Sequence, residues 1–413
     1  MRLLPRMENI IGRPNEPITS EHLAIVYGNL NPAPGRPGLG IRGVRSMSLV
    51  AHYIEAFERL YQVITGPLLD YPKPKTDSSG KTVAYVFHIP DLFLDGEPFT
   101  THDLDGVPFI GVPCRNSEPT VQAAMHRAGS AIAHEATHVF NWTVRPFGSI
   151  REVDWAWFNE ATCVFMERFV LPGNPDSVRF FLDWSDQPET SLDAAPYAAG
   201  MLVSYLAKRF DPRLIARIWK ESKPLDTPFS ALNAIFRTDF PEHHSEAADI
   251  LPIFGDYSFD SYFLWDHTNP AFAPDIFLRF GNRALSGYVL LSPGVETALE
   301  GGVDHLACRY YRFDVESGVS AVRFELTTSA SACRVLDARV ARVTPTGERR
   351  NEQHLHSAGP NAPLVADLTV NSRETDHIVL MVANCGIRPR RANPDIAHDD
   401  NQHYTIKVSA ARH

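Results

Sequence analysis

The sequence predicts an α+β protein in which a small mixed sheet and a helical subdomain precede an all-β sandwich. Three observations carry this. The first hundred or so residues alternate strand and helix patterns, the middle holds three apolar repeats at helical spacing, and from about Leu291 the chain breaks into short β-branched and aromatic runs.

After a Pro/Gly-rich lead-in over 1–20, HLAIVYG at 22–28 reads as a strand, and the glycines and proline of RPGLGIRG at 36–43 read as loop. SLVAHYIEAFERLYQVI from Ser48 repeats its apolar residues every three to four positions, as a helix does. KTVAYVFHIP from Lys81 and VPFIGVP at 107–113 are the next strand candidates. Helices are then expected over about Thr120–Trp142, Asp154–Val170 and Pro196–Lys220. Pro119 stands where a first turn tolerates proline, and Leu171-Pro172-Gly173 stops the second helix. SALNAIF and DYSFDSYFLW suggest shorter helices closing this region. The runs CRYYRFDV, SAVRFELTT, ARVARVTP, PLVADLTV, HIVLMVAN and HYTIKVSA, separated by turn residues, have the spacing of a β-sandwich. The expected organisation is a lead-in at 1–20, a catalytic-type domain at 21–290 and a C-terminal sandwich at 291–413. No internal repeat is visible.

Composition narrows the function. A formal net charge of -10 without a clustered Lys/Arg excess argues against a nucleic-acid partner. No stretch approaches the roughly 18 unbroken apolar residues of a membrane span. The start, MRLLPRMENIIGRPNEP, lacks an apolar signal core, so the chain is expected to be cytoplasmic or the mature form of an exported protein. Five scattered cysteines do not form a disulfide framework. One bridge among Cys308, Cys333 and Cys385 and free thiols are both open. Nothing in the sequence sets the oligomeric state.

The chemistry concentrates in SAIAHEATHVFNW. His134-Glu135-Ala136-Thr137-His138 is an H-E-x-x-H pattern inside a predicted helix, and residues four apart share a helical face, so both imidazoles can reach one ion at about 2.0–2.1 Å. Glu135 can then address a water without binding the metal. The alternative is a pair of helix-surface histidines. A catalytic zinc needs a third protein ligand and an open position. Glu160, in the apolar DWAWFNEATCVFMERFV, is the candidate, because a lone carboxylate there is costly unless paired or bound. Its competing reading is an ion pair with a residue such as Arg168. His126 lies about two turns, roughly 12 Å, before His134 and is too distant to share the ion. Cys163 reads as a small core residue.

H-E-x-x-H followed by a helix carrying Trp157, Asn159, Glu160 and Ala161 resembles the gluzincin peptidases, the clan of thermolysin, the zinc aminopeptidases and bacterial collagenases. The resemblance is strongest over about 130–210, looser over about 20–290, and leaves the sandwich outside. It implies a single catalytic zinc on His134, His138 and Glu160, Glu135 as general base, and a peptide or protein substrate. It further implies that VPFIGVP is the edge strand above the cleft, and that Tyr197, in PYAAGMLVSYLAKRF, donates to the oxyanion; His243, His244 and His267 are weaker alternatives. Zinc lowers the pKa of its water to about 7, leaving Glu135 to move one proton to the leaving amine. The sequence departs from the thermolysin branch at Val164, where that branch has an aspartate orienting a ligand histidine; Asp154, Glu152 or Glu167 must replace it. Two other functions stay open: a binding or adhesion module keeping a vestigial peptidase core, and a zinc hydrolase of a non-peptide substrate.

Overall fold

The computed structural model describes residues 18–27, 47–87, 98–102, 107–113, 121–145, 153–171, 187–222, 227–247, 251–263, 285–357, 359, 362–387 and 401–412. It is an α+β protein. The chain forms two compact units, Met1–Arg179 with Val203–Ser222, and Phe180–Leu202 with Lys223–His413.

In the first unit, strands β1 (Ile18–Thr19), β2 (Leu23–Tyr27), β3 (Thr82–Phe87), β4 (Phe99–His102) and β5 (Pro108–Pro113) form one sheet in the order β1-β2-β3-β5-β4. β2, β3 and β5 run parallel, and β4 runs antiparallel to β5. This corrects one expectation: VPFIGVP is β5 and lies inside the sheet, while β4 stands at its end. Gly111 permits that pairing. It faces Phe99 across the ladder, and a Cβ there would come within 2.4 Å of the Phe99 ring.

Helices α1 (Met47–Thr65) and α2 (Val121–Val144) pack with this sheet, and α3 (Val153–Val170) packs on both of them. Their buried residues recur at helical spacing: Val50, Tyr53, Phe57, Leu60 and Ile64 on α1, and Ile132, Ala136, Val139 and Phe140 on α2. The anticipated helix over 196–220 is two, α4 (Gly200–Arg209) and α5 (Arg213–Glu221). Asp211-Pro212 separates them, since proline removes a helical N–H and Asp211 Oδ1 accepts the Arg213 N–H at 2.7 Å. On α5, Trp219 is fully buried against Trp155 of α3, ring centroids 5.0 Å apart, and its Nε1–H donates to Thr162.

The second unit holds two five-stranded sheets. With β6 (Leu285–Leu291), β7 (Glu296–Val303), β8 (Ala307–Val315), β9 (Val319–Thr328), β10 (Leu336–Val343), β11 (Arg349–His354), β12 (His356–Ser357), β13 (Leu364–Thr369), β14 (His377–Asn384) and β15 (Gln402–Arg412), their orders are β11-β10-β14-β8-β6 and β12-β13-β9-β15-β7. Phe313, Phe324, Leu326, Val340, Leu380 and Ile406 are among the residues of the core they share. All six runs anticipated in the tail form strands.

Helices α6 (Pro228–Asp239) and α7 (Ile253–Tyr262) belong to this second unit. The division therefore does not fall at the anticipated 290/291 boundary. α7 covers the outer face of the β10–β14–β8 region: Tyr310 donates to the Ser258 carbonyl at 2.6 Å, and Arg339 binds Asp256 at 2.7 Å and Asp337 at 2.6 Å. Every residue of β14 is consequently buried, which is why HIVLMVAN is a continuous apolar run rather than an alternating one. Among the described residues the cysteines Cys163, Cys308, Cys333 and Cys385 are free. No helix among them is long and apolar enough to cross a membrane.

Candidate metal centre

The candidate site lies where α2 and α3 pack, and polar residues at helical spacing face each other there. Ser130, His134, His138 and Asn141 recur every three to four positions on α2, as Glu160, Cys163 and Glu167 do on α3. They pair in opposite order along the two helices, so the helices run antiparallel. The Ser130 hydroxyl donates to Glu167, His134 lies between Glu167 and Glu160, His138 lies between Glu160 and Cys163, and Asn141 Nδ2 donates to Asn159 Oδ1 at 2.9 Å.

Glu160 Oε2 stands 3.0 Å from His134 Nε2 and 3.6 Å from His138 Nε2. Those separations bracket the ~3.3 Å between donors held ~2.0–2.1 Å from one tetrahedral ion. Both histidines are buried, whereas the Glu160 side chain is 27% exposed, so the cluster has a solvent side. Two imidazoles, one carboxylate and an open side are a donor set that fits zinc.

Electrostatics agrees with a cation-binding role. Burial acts against ionised Glu160, yet His138 and His134 outweigh it and hold the carboxyl well below the usual range. Burial likewise opposes a charged His134, but its bonds to Glu160 and Glu167 raise its pKa well above the ordinary imidazole value; His138 is raised against burial mainly by Glu160. Positive charge is thus favoured between these groups, and an ion would supply it in place of protons.

Glu135 is almost fully buried one residue after His134. Burial raises its carboxyl above the usual range, with His138, His134 and a hydrogen bond from Thr100 pulling the other way. Thr100, on β4, has Oγ1 at 2.7 Å from Glu135 Oε2 and at 2.8 Å from the Glu135 carbonyl. Nothing in the sequence reading pointed to Thr100. FTTH is too short and polar to announce a strand, and only the sheet brings it over α2.

Of the three carboxylates the sequence offered, Glu167 faces His134, its Oε1 accepting from Nδ1 at 2.7 Å. This fixes the tautomer that presents Nε2 toward Glu160. A signal for it existed, since seven residues at 3.6 per turn put Glu167 within about 20° of the face of Glu160. The side chain of Asp154 and all of Glu152 lie outside the described residues, as do His267 and the side chain of His126. Cys163 Sγ lies 3.3 Å from His138 Nδ1, and burial, then Glu160, raises its thiol pKa well above the usual value.

Tyr197 belongs to the second unit, in the turn before α4, and is 39% exposed; it does not open the helix. His243, in a short 3-10 turn, and His244, just after it, are also in that unit.

No family model matches the chain, and no curated protein does. Among solved structures it is similar to PliG of Aeromonas hydrophila, a periplasmic inhibitor of g-type lysozyme, with 10% identity, 30% of this chain and 99% of that chain covered, and a TM-score of 0.19. PliG of Salmonella Typhimurium gives 12% identity, 30% and 98% coverage and a TM-score of 0.18. CorA, a surface-associated copper-binding protein of Methylomicrobium album BG8, gives 9%, 31% and 98%, and 0.19. Similarities at these scores bear on neither fold nor function.

Proposed function

We propose that the chain is a zinc-dependent metallopeptidase of gluzincin type. The observation that carries this reading is the convergence of Glu160 Oε2 on the Nε2 atoms of His134 and His138, with Glu135 buried beside them and outside the donor set. His134, His138 and Glu160 would hold the ion. Zinc supplies a Lewis acid for the scissile carbonyl and makes water acidic near neutral pH.

Glu135 accepts the proton of the attacking water and passes it to the leaving amine. Its raised proton affinity suits both halves of that transfer, since a base that is too weak cannot take the proton at neutral pH. Thr100 occupies Oε2, which leaves Oε1 to work. Glu167 keeps His134 turned with Nε2 toward the donor cluster. An extended peptide would pair along β4, the last strand of the sheet, by strand addition.

The test compares wild type with Glu135→Gln for zinc content and for hydrolysis of a mixed protein substrate. Retained zinc with kcat lower by about 10²–10⁴-fold is the expected result. Equal hydrolysis by the two proteins would remove Glu135 from the mechanism, and a purified wild type that takes up no zinc would reject the metallopeptidase.

A further inference from the structure

Cys163 is fully buried on the face of α3 that carries Glu160, and it is used by nothing in the proposed reaction. One ring nitrogen of His134, one of His138 and the Cys163 sulfur lie within 4.8 Å of one another. The closest pair is Cys163 Sγ and His138 Nδ1, at 3.3 Å. A nitrogen and a sulfur bound to one tetrahedral ion at ~2.0–2.1 Å and ~2.3 Å stand ~3.5 Å apart, so these two atoms are already spaced as co-ligands.

We infer that the centre contains a second, sulfur-containing donor set, His134–His138–Cys163, which takes a soft divalent cation. Hard and borderline ions accept the carboxylate of Glu160, while thiolate selects softer metals. His138 is the shared element. It faces Glu160 with Nε2 and Cys163 with Nδ1, and a neutral imidazole has one lone pair to give, so the two sets are alternatives at that ring. When a soft ion binds, the Cys163 thiol releases its proton to solvent and the sulfur takes the metal. Glu160 is then dispensable. The inference shares two histidines with the zinc set and does not depend on peptidase activity.

The probe is cadmium alone, titrated into the full chain and followed by the ultraviolet thiolate-to-cadmium charge-transfer band, with cadmium NMR reporting whether one sulfur is bound. Wild type is expected to show the band and a one-sulfur resonance at one ion per chain. Cys163→Ser is expected to lose the band, and Glu160→Gln to keep it. Cadmium bound to wild type without the band, with a resonance of nitrogen and oxygen ligands only, would overturn the sulfur set, as would a band that survives in Cys163→Ser. The wild-type resonance decides the matter even if Cys163→Ser does not fold. Absent zinc uptake and absent hydrolysis would reject the peptidase while leaving the cadmium result readable.

Discussion

Glu167 and His134 are joined by a 2.7 Å hydrogen bond from Nδ1 to Oε1 between two helices, and Ser130 donates to the second oxygen of the same carboxylate. Glu167 is 4% exposed, and a buried carboxylate is costly unless groups such as these face it. The bond ties the His134 ring to a fixed carboxylate, and where a ring binds metal such a partner raises its basicity.

Glu167→Gln keeps an acceptor but removes the charge, and is expected to weaken zinc binding about 10–100-fold. Competition against a chromophoric chelator measures this without recourse to activity. Unchanged affinity, in a protein whose thermal unfolding matches wild type, would reduce Glu167 to a structural residue.

Thr100 carries a different prediction, because its hydroxyl holds the proposed base, Glu135, rather than a proposed ligand. Thr100→Val preserves shape and removes the donor to Glu135 Oε2, so kcat is expected to fall about tenfold, by the ~1.4 kcal/mol scale of one hydrogen bond, with KM and zinc affinity little changed. Thr100→Ser restores the donor and should restore most of the rate. A loss confined to KM, or no rescue by serine, would show that the bond serves only to seat β4 on α2.

These two residues mark where sequence legibility ends. His134, His138 and Glu160 were readable because a four-residue spacing fixes one helical face and because a carboxylate in the apolar WAWFNEATCVFM needs a partner. The choice among Asp154, Glu152 and Glu167 turned on how α2 crosses α3, which no local pattern encodes. Thr100 was invisible for a related reason: PFTTH lacks an apolar alternation, and β4 exists because Gly111 lets the Phe99 ring close over β5. In the second unit, HIVLMVAN was readable as a strand, but that α7 covers it emerges only from contacts such as Arg339 with Asp256. The 196–220 pattern showed its apolar period correctly and hid its break, since Pro212 sits where a first helical turn tolerates it.

His377 supplies the pH prediction, far in sequence from His134, His138 and Glu160. It sits at the start of β14 with Nε2 at 3.2 Å from the Tyr262 hydroxyl and Nδ1 at 2.8 Å from Asp376. Burial lowers its pKa; Asp376 opposes this, Arg312 adds to the lowering, and Asp314 opposes it. The folded value is therefore below that of the unfolded chain, near 6.5, and the unfolded state takes up the proton first as pH falls. The stabilising contribution is fully present above about pH 6.5 and is lost as pH falls from there through the folded value. His377→Gln removes the titration, so the fall in Tm between about pH 7.5 and pH 5 should be shallower in the variant than in wild type, with the two curves converging toward the acid end. Parallel curves would mean that His377 carries the same charge in both states. Asp337 acts in a lower window. Burial works against its ionised form, but His354 and Arg339 outweigh that and depress its pKa, so its contribution is lost only as pH falls below about 3.8 and leaves the His377 window undisturbed.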